Sequence, residues 1–424
     1  MKRLLFVSLA PPLPVTNGQR MRIWALLRAL AAEGHDIHLL TFAQPQEISA
    51  YSDQLAGVCR SVEAVPHSIA RWTAGNNYTD RFRALLSTNA YGIERFRSVL
   101  MAKQIVMRLE DRYDAVFMCS PFPAINLPNS IDVPLIIDED SIEQIILQRY
   151  LLHERNPLRR AYGSLEWLKL RRWERVVCDR AALVLVCSEN DRTIIKKMCP
   201  AVHTALVPNT IDVDDYCVSS NCDAENIVYV GCMDWFPNRD AVEFFIDYIW
   251  PTVRSIRPSA RFTVVFSPQH APPPGFRKRF FKTSGVEFLE TTNVRKELVN
   301  ATIFVVPLRI GSGTRFKILE AGALAKPIVS TRIGAEGLDF QSGKEIIVED
   351  NPANFARAIT ELLAHSQMRA ALGMKARDRV AREYSFKALR STLVDALAIL
   401  GSTTVRQSSS RVRIQKEHRL QTFV

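Results

Sequence analysis

The chain alternates short apolar runs with stretches of helical periodicity. An apolar run at 4–9 is followed by a proline-rich loop that ends at Asn17-Gly18, and apolar residues then recur at helical spacing up to Gly34. A second apolar run at 36–42 completes a predicted βαβ unit. Further buried strands are predicted at 115–119, 134–138, 182–187 and 205–208, with helices between them. This alternation favours a parallel sheet with helices on both faces.

The pattern begins again in the second half. Strands are predicted at 226–231, 261–266, 286–289, 302–307, 327–330 and 345–348, and helices at 240–255, from about 315 to 324, and onward to 400. The sequence therefore predicts an α/β protein with two tandem Rossmann-like, doubly wound domains that face a cleft. The predicted division is an N-terminal domain (1–208), a linker (209–225), a C-terminal domain (226–385), a terminal helix that crosses back to the first domain (386–400), and a basic disordered tail (401–424).

Composition supports a folded protein of several domains. The 424 residues are 47% apolar and 23% charged, which is ordinary for globular chains. None of the eight cysteines forms a C-x-x-C pair, so neither a disulfide framework nor a zinc ribbon is expected. The N-terminal apolar run ends at Pro11 without a signal-peptide cleavage site, and no apolar run approaches the length of about 18 residues that spans a membrane. We therefore expect a cytoplasmic protein.

The net charge of +11 is unevenly distributed. Residues 149–180 contain nine basic against four acidic residues on a predicted helix, and the tail is basic and rich in Ser and Thr. One interpretation is attachment to an anionic membrane surface, and the other is a solvated helix face with a disordered end. Nucleic acid is not an expected partner, because the chain has no recognisable nucleic-acid module or basic stripe interleaved with aromatic residues.

The stretch 305–320, V-V-P-L-R-I-G-S-G-T-R-F-K-I-L-E, carries the most specific chemistry. An apolar strand leads through Gly311, Ser312 and Gly313 to a helix that begins near Thr314, and the free amides of a helix N-terminus bind anions. Arg315 and Lys317 lie in the first turn, where the helix dipole disfavours cations unless an anion is bound. The pattern predicts a diphosphate site, and the carboxylate of Glu320 suits a pair of vicinal hydroxyls.

This motif, with P-P-L-P-V-T-N-G-Q-R-M-R from Pro11, V-P-N-T-I-D from Val207 and V-G-C-M-D-W-F-P-N-R-D-A from Val230, resembles the retaining family 4 glycosyltransferases of the GT-B fold. The resemblance covers roughly residues 1–400 and is strongest to bacterial members that build polysaccharides and glycoconjugates. It implies a C-terminal domain that holds a nucleotide diphosphate sugar and an N-terminal domain that holds the acceptor.

The resemblance also assigns roles to residues. Glu320 matches the carboxylate that binds the donor ribose, Arg315 and Lys317 match basic residues near the diphosphate, and Gly18 matches a glycine where backbone approaches the donor. The expected catalytic residues are Arg315, Lys317, Glu320 and Asp140. The expected donor-binding residues are Gly18, Gly231, Asn238, Gly311, Ser312, Gly313, Thr314, Arg315, Lys317 and Glu320. No metal and no cofactor other than the donor itself is expected.

The chain departs from the family pattern at several positions. Ser312 stands where many members have the first of two glutamates, and Cys232 and Asn238 stand where an arginine and a lysine are common. Asp140 occupies a position where relatives often have a histidine. It would orient acceptor hydroxyls or act as a base, or alternatively form a helix-capping box with Glu143.

We therefore predict a glycosyltransferase that moves a sugar from a nucleotide diphosphate sugar to a lipid-linked, polysaccharide or other glycoconjugate acceptor, with retention and without metal, at the inner membrane face. Two alternatives remain open on the sequence. One is a nucleotide-sugar epimerase of the same fold. The other, motivated by the departures, is a non-catalytic scaffold that binds nucleotide sugars.

Overall fold

A computed structural model describes residues 2–66, 85–218, 224–280 and 282–400. The basic tail at 401–424 lies outside the described residues. The strands are β1 Arg3–Ser8, β2 Asp36–Phe42, β3 Ser61–Val65, β4 Ala115–Cys119, β5 Leu135–Glu139, β6 Leu183–Val186, β7 Thr204–Leu206, β8 Asn226–Val230, β9 Arg261–Phe266, β10 Val286–Glu290, β11 Ile303–Val306, β12 Ile328–Ser330 and β13 Ile347–Val348.

The helices alternate with these strands. They are α1 Gly18–Ala32, α2 Pro45–Ser49, α3 Ser52–Ala56, α4 Tyr91–Glu94, α5 Val99–Leu109, α6 Glu143–His153, α7 Pro157–Arg180, α8 Glu189–Met198, α9 Phe236–Phe244, α10 Trp250–Ile256, α11 Pro274–Phe280, α12 Val294–Val299, α13 Phe316–Ala323, α14 Arg332–Ala335, α15 Pro352–Ala364, α16 Ser366–Glu383 and α17 at 386–400. Within the described ranges, no helix has both the length and the hydropathy needed to cross a membrane.

The strands form two sheets in which every described pair of named strands is parallel. The first has seven strands in the order β3-β2-β1-β4-β5-β6-β7, and the second has six in the order β10-β9-β8-β11-β12-β13. Their central strands are buried on both faces, because leucine and β-branched residues occupy nearly every position. The predicted class of two tandem Rossmann-like domains is confirmed.

The strand order determines where ligands bind. In the second sheet the direction of winding reverses between β8 and β11, which are hydrogen-bonded neighbours. The loops that leave the carboxyl ends of these two strands therefore diverge and open a crevice, the usual ligand position in open α/β sheets. Residues 231–235 follow β8 and residues 307–315 follow β11, so two of the candidate motifs begin on either side of this crevice.

The last helix belongs to the core of the first domain. Leu389, Leu393 and Leu397 of α17 are buried in one apolar cluster with Leu4 and Phe6 of β1. An ion pair at 2.7 Å between Arg390 and Glu33 fastens the exposed side of this helix to the end of α1. The chain thus returns to its first domain after the second domain is complete.

Candidate active site

The glycine-rich loop, residues 311–314, connects β11 to α13. The helix begins at Phe316 with Arg315 as its N-cap, about one turn position later than the sequence predicts. Gly313 has φ of +70°, and a Cβ there would lie 2.3 Å from the carbonyl oxygen of Asp140. Only glycine tolerates both the left-handed backbone and this close approach. The loop is therefore shaped to fit against the first domain.

Contacts between side chains and backbone join the loop to the N-terminal domain. The Ser312 hydroxyl accepts a hydrogen bond from the amide of Ile142 at 3.1 Å, at the start of α6. The Thr314 hydroxyl accepts one from the Asn209 amide group at 2.9 Å, and Arg149 donates to the carbonyl of Gly311. The four loop residues are buried as a result. The expected donor loop is thus also the place where the two domains meet.

Arg315 braces the loop from within. Its guanidinium is buried and donates to the carbonyl oxygens of Ser312 and Gly313. Burial lowers the pKa of this arginine. Its Nε has no hydrogen-bond partner within the described part of the chain. The cation that the sequence places beside a diphosphate is therefore held under the loop that would bind that diphosphate.

Lys317 lies one turn position further along α13 in a polar cluster. Its ammonium donates to the hydroxyl of Tyr229 and to the side-chain oxygen of Asn238, both at 3.0 Å, and lies 4.3 Å from the centroid of the Tyr229 ring. Gly231 lies against the Asn238 amide. Burial lowers the pKa of Lys317 to about 7. The structure thus brings together Gly231, Asn238 and Lys317, three of the expected donor residues.

Glu320 follows one turn after Lys317 on the same helix. Its Oε1 accepts a hydrogen bond from the Tyr216 hydroxyl at 3.0 Å, and the Arg295 guanidinium lies 4.2 Å from the centroid of the Tyr216 ring. Burial raises the pKa of the carboxyl group. The sequence analysis missed Tyr216, Tyr229 and Arg295, because each comes from a segment with no distinctive motif of its own.

Gly18 and Asp140 reach the loop from the first domain. Gly18, the first residue of α1, lies against the ring of Phe316, where the candidate donor helix begins. Asp140 follows β5 and is half-buried, and burial, with the nearby charge of Asp138, raises its pKa to about 6. The capping-box alternative for Asp140 is wrong: α6 begins at Glu143, and its N-cap is Ile142, because Asp140 turns back toward Gly313.

A buried ion pair lies behind Asp140. The guanidinium of Arg22 binds both carboxylate oxygens of Asp138, at 2.5 Å from Nη2 and 2.8 Å from Nε. Its Nη1 donates to the side-chain oxygen of Asn209 at 2.9 Å, and Asn209 in turn donates to Thr314. A continuous set of buried hydrogen bonds therefore runs from the sheet of the first domain to the glycine-rich loop of the second.

Comparison with known proteins agrees with this geometry. The family described as "Glycosyltransferase Family 4" matches residues 16–215, and the family described as "Glycosyl transferases group 1" matches residues 224–365. An "Uncharacterized 44.6 kDa protein in cps region" of Klebsiella pneumoniae is 21% identical over 368 residues, which cover 85% of this chain and 90% of that protein.

Solved structures of similar fold cover nearly the whole chain. Sucrose-phosphate synthase from Thermosynechococcus elongatus superposes with a TM-score of 0.69 at 15% identity, covering 95% of this chain and 100% of that one. HepE of Anabaena, in complex with UDP and glucose, gives 0.63 at 14% identity, covering 94% and 100%. TarM of S. aureus, in complex with UDP among other ligands, gives 0.65 at 12% identity, covering 93% and 99%.

The fold and the two domain matches together define the class: the protein is a glycosyltransferase of the GT-B fold. Its first domain is of the family 4 type and its second of the group 1 type. Of the three activities considered from the sequence, the transferase is the one that these matches support.

Proposed function

We propose that this glycosyltransferase moves a sugar, with retention of anomeric configuration and without a required metal, from a nucleoside diphosphate sugar to a hydroxyl of a glycan or lipid-linked acceptor. The observation that carries the proposal is the placement of Lys317 and Glu320. They lie three residues apart on α13, and so on the same face of it, directly after the glycine-rich loop. A cation and a carboxylate at this spacing match a diphosphate and its neighbouring ribose.

The donor class follows from this arrangement. Glu320 would accept hydrogen bonds from both ribose hydroxyls, and Tyr216 and Arg295 hold its carboxylate in position. Lys317 and the free amides at the start of α13 would bind the diphosphate. Because HepE and TarM, which share the fold, were solved with UDP, a uridine diphosphate sugar is the first donor to test.

The reaction needs charge stabilisation on the leaving group. The bond between the anomeric carbon and the diphosphate oxygen breaks, and its electron pair leaves on the diphosphate. The acceptor oxygen bonds to the anomeric carbon on the same face, and its proton passes to the departing diphosphate oxygen. Lys317 and the helix N-terminus stabilise charge that develops only in the transition state, so they increase the rate. Asp140, beside the loop, orients the acceptor hydroxyl.

A screen of donors and acceptors tests the proposal. The purified protein is incubated with UDP-, GDP-, ADP- and dTDP-sugars, with and without lipid-linked and soluble glycan acceptors, in the presence of EDTA. We expect acceptor-dependent release of one nucleoside diphosphate and a product of retained configuration. Binding of diphosphates with neither transfer nor hydrolysis of any donor would contradict the proposal, and formation of an epimeric donor without acceptor would replace it.

Replacing Glu320 by alanine is expected to weaken binding of the preferred nucleoside diphosphate about 10- to 100-fold, because hydrogen bonds to a charged group contribute about 1.5–3 kcal/mol. Calorimetric titration of UDP, GDP, ADP and dTDP measures the change. Glu361→Ala removes an exposed carboxylate from α15 and serves as the matched control. Equal affinity for Glu320→Ala and the unaltered protein would remove Glu320 from the donor site.

We further propose that the enzyme works in the cytoplasm, attached to the inner membrane face through α7. Six arginines on or just before this helix are exposed, together with four exposed apolar residues; the arginines are 155, 159, 160, 171, 172 and 175, and the apolar residues are Leu158, Leu165, Leu168 and Val176. Not every basic residue of 149–180 contributes, because Arg149 pairs with Glu336 and Arg180 donates to the Pro128 carbonyl. Apolar residues beside arginines suit an anionic bilayer.

Reversing two of these charges, in Arg171→Glu with Arg175→Glu, is expected to lower the partition coefficient onto vesicles rich in phosphatidylglycerol by at least about 30-fold, since each basic residue near the surface contributes about 1 kcal/mol. Vesicle sedimentation measures the effect. The double variant Arg357→Glu and Lys375→Glu makes the same charge change on exposed positions of the second domain. Equal losses for both pairs would show a dependence on net charge alone and contradict a surface on α7.

A further inference from the structure

Three side chains with metal-binding atoms converge at the edge of the second domain. Cys232 and Asp234 lie in the loop after β8, and His270 lies in the turn after β9. The Cys232 sulfur, a carboxylate oxygen of Asp234 and a ring nitrogen of His270 all lie within 4.8 Å of one another. The sequence does not reveal this cluster, because His270 is 36 residues from Asp234 and no spacing motif connects them.

The backbone fixes the relative position of the two loops. β8 and β9 are adjacent parallel strands, and the Gly231 amide continues their pairing with a bond of 3.1 Å to the Val265 carbonyl. Beyond that point the Met233 amide donates to the His270 carbonyl at 2.9 Å. The three side chains are thus positioned by a hydrogen-bonded frame, and binding an ion would require little ordering of the chain.

The donor set suits zinc. A thiolate, an imidazole and a carboxylate are its three common protein ligands, at about 2.0–2.3 Å from the ion. Tetrahedral placement at those lengths separates ligand atoms by about 3–4 Å. The distance from Nδ1 of His270 to Oδ2 of Asp234 is 3.1 Å, so this edge of the tetrahedron is already formed.

A second observation independently points to a ligand. The other carboxylate oxygen of Asp234, Oδ1, is buried and has no hydrogen-bond partner among the residues that the structure describes. Arg239, the nearest bonded guanidinium, donates instead to the backbone carbonyls of Met233 and Asp234. A buried carboxylate oxygen without a donor is costly, and a cation would relieve that cost.

We propose that Cys232, Asp234 and His270 bind a divalent transition-metal ion of the zinc class, with a fourth position left for water or another ligand. The ion would lie beside the proposed donor site, because the Cys232 carbonyl accepts a hydrogen bond from Asn238 at 3.0 Å and Asn238 contacts Lys317. Three protein ligands with one open position are typical of zinc sites that exchange a ligand. The ion is assigned no step in glycosyl transfer, and its test is independent of that activity.

Cobalt titration tests the site in the full-length protein without an affinity tag. Co²⁺ bound to a thiolate gives a sulfur-to-metal charge-transfer band, and four-coordinate Co²⁺ gives intense visible bands. We expect one equivalent to saturate both, and added Zn²⁺ to abolish them. Cys232→Ser should remove the charge-transfer band, and His270→Gln should weaken binding at least about 100-fold, the upper range for disturbing even an outer-shell partner.

Cysteine controls make the result specific. Cys217 is exposed, and Cys222 lies outside the described residues, whereas the remaining cysteines apart from Cys232 are buried. The Cys217→Ser and Cys222→Ser double variant should therefore keep the full band. Unaltered protein without a charge-transfer band at micromolar Co²⁺, or a band that persists in Cys232→Ser, would overturn the proposal. Thermal melting of each metal-free variant establishes that it is folded, and His270→Gln provides the test if Cys232→Ser is not.

Discussion

Replacing Lys317 by methionine is expected to lower kcat of glycosyl transfer about 10²- to 10³-fold, the usual effect of removing one group that stabilises transition-state charge. Methionine keeps the length of the side chain and removes its charge. The ammonium is held by Tyr229 and Asn238 at 3.0 Å from each, so it needs no reorganisation when the diphosphate leaves. Steady-state kinetics with the preferred donor measures the loss.

The pH dependence separates charge from shape. Burial holds the pKa of Lys317 at about 7 in the free enzyme, below its usual value, so the charged form is lost as pH rises through 7. We therefore expect kcat/KM to fall about tenfold per pH unit above that point. A bound diphosphate favours the ammonium, which moves the corresponding limb of kcat to higher pH. Lys317→Arg, which stays charged throughout, should lose this limb.

The matched control is Lys344→Met, which removes an exposed lysine of the same domain. Its kinetics should equal those of the unaltered enzyme. An increase in KM with unchanged kcat in Lys317→Met would mean that the lysine binds donor and transition state equally. In that case Lys317 would be a binding residue without a role in the rate.

Most of the fold could be predicted because the buried strands carry their own signal. Residues 115–119 and 261–266 were predicted as strands with the bounds that the structure has, since each is an unbroken apolar or β-branched run bounded by turn residues. β3, Ser61–Val65, was missed. It is an edge strand with only its last residue fully buried, so its sequence lacks an apolar run.

The predicted helix at 240–255 shows where periodicity is insufficient. The structure begins this helix at Phe236, with Pro237 in its first turn, and divides it by a π-helical segment at Phe245–Ile249. The division falls just before Pro251, which cannot donate to the carbonyl four residues earlier. Apolar spacing identified the helix, and its two prolines explain the altered start and the interruption.

The site was predictable only where one motif contained it. The stretch from Gly311 to Glu320 combines loop, helix start and charges in one run, and the structure keeps them together. The groups that orient them come from elsewhere: Tyr216 from the predicted linker, Tyr229 from β8 and Asn209 from the loop after β7. Such contacts depend on strand order and on the meeting of two domains, which no local pattern encodes.

The largest effect on stability is expected for Arg22→Met, which should lower the free energy of unfolding by about 3–5 kcal/mol. The substitution leaves the carboxylate of Asp138, which is 0% exposed, without its bidentate partner in the centre of the first domain. Urea denaturation followed by fluorescence measures the change. Arg28→Met, on the same helix, breaks a half-exposed pair with Asp212 at 3.5 Å and should cost at most about 1 kcal/mol.

A second substitution separates the fold from the function. Arg22→Met combined with Asp138→Leu removes both buried charges, so most of the lost stability should return. Donor binding should stay weakened, because Arg22 also holds Asn209 at 2.9 Å, and Asn209 in turn positions Thr314 of the glycine-rich loop. Recovery of both stability and donor affinity would limit Arg22 to a structural role. Recovery of stability alone would show that the first domain sets the shape of the donor loop through this buried path.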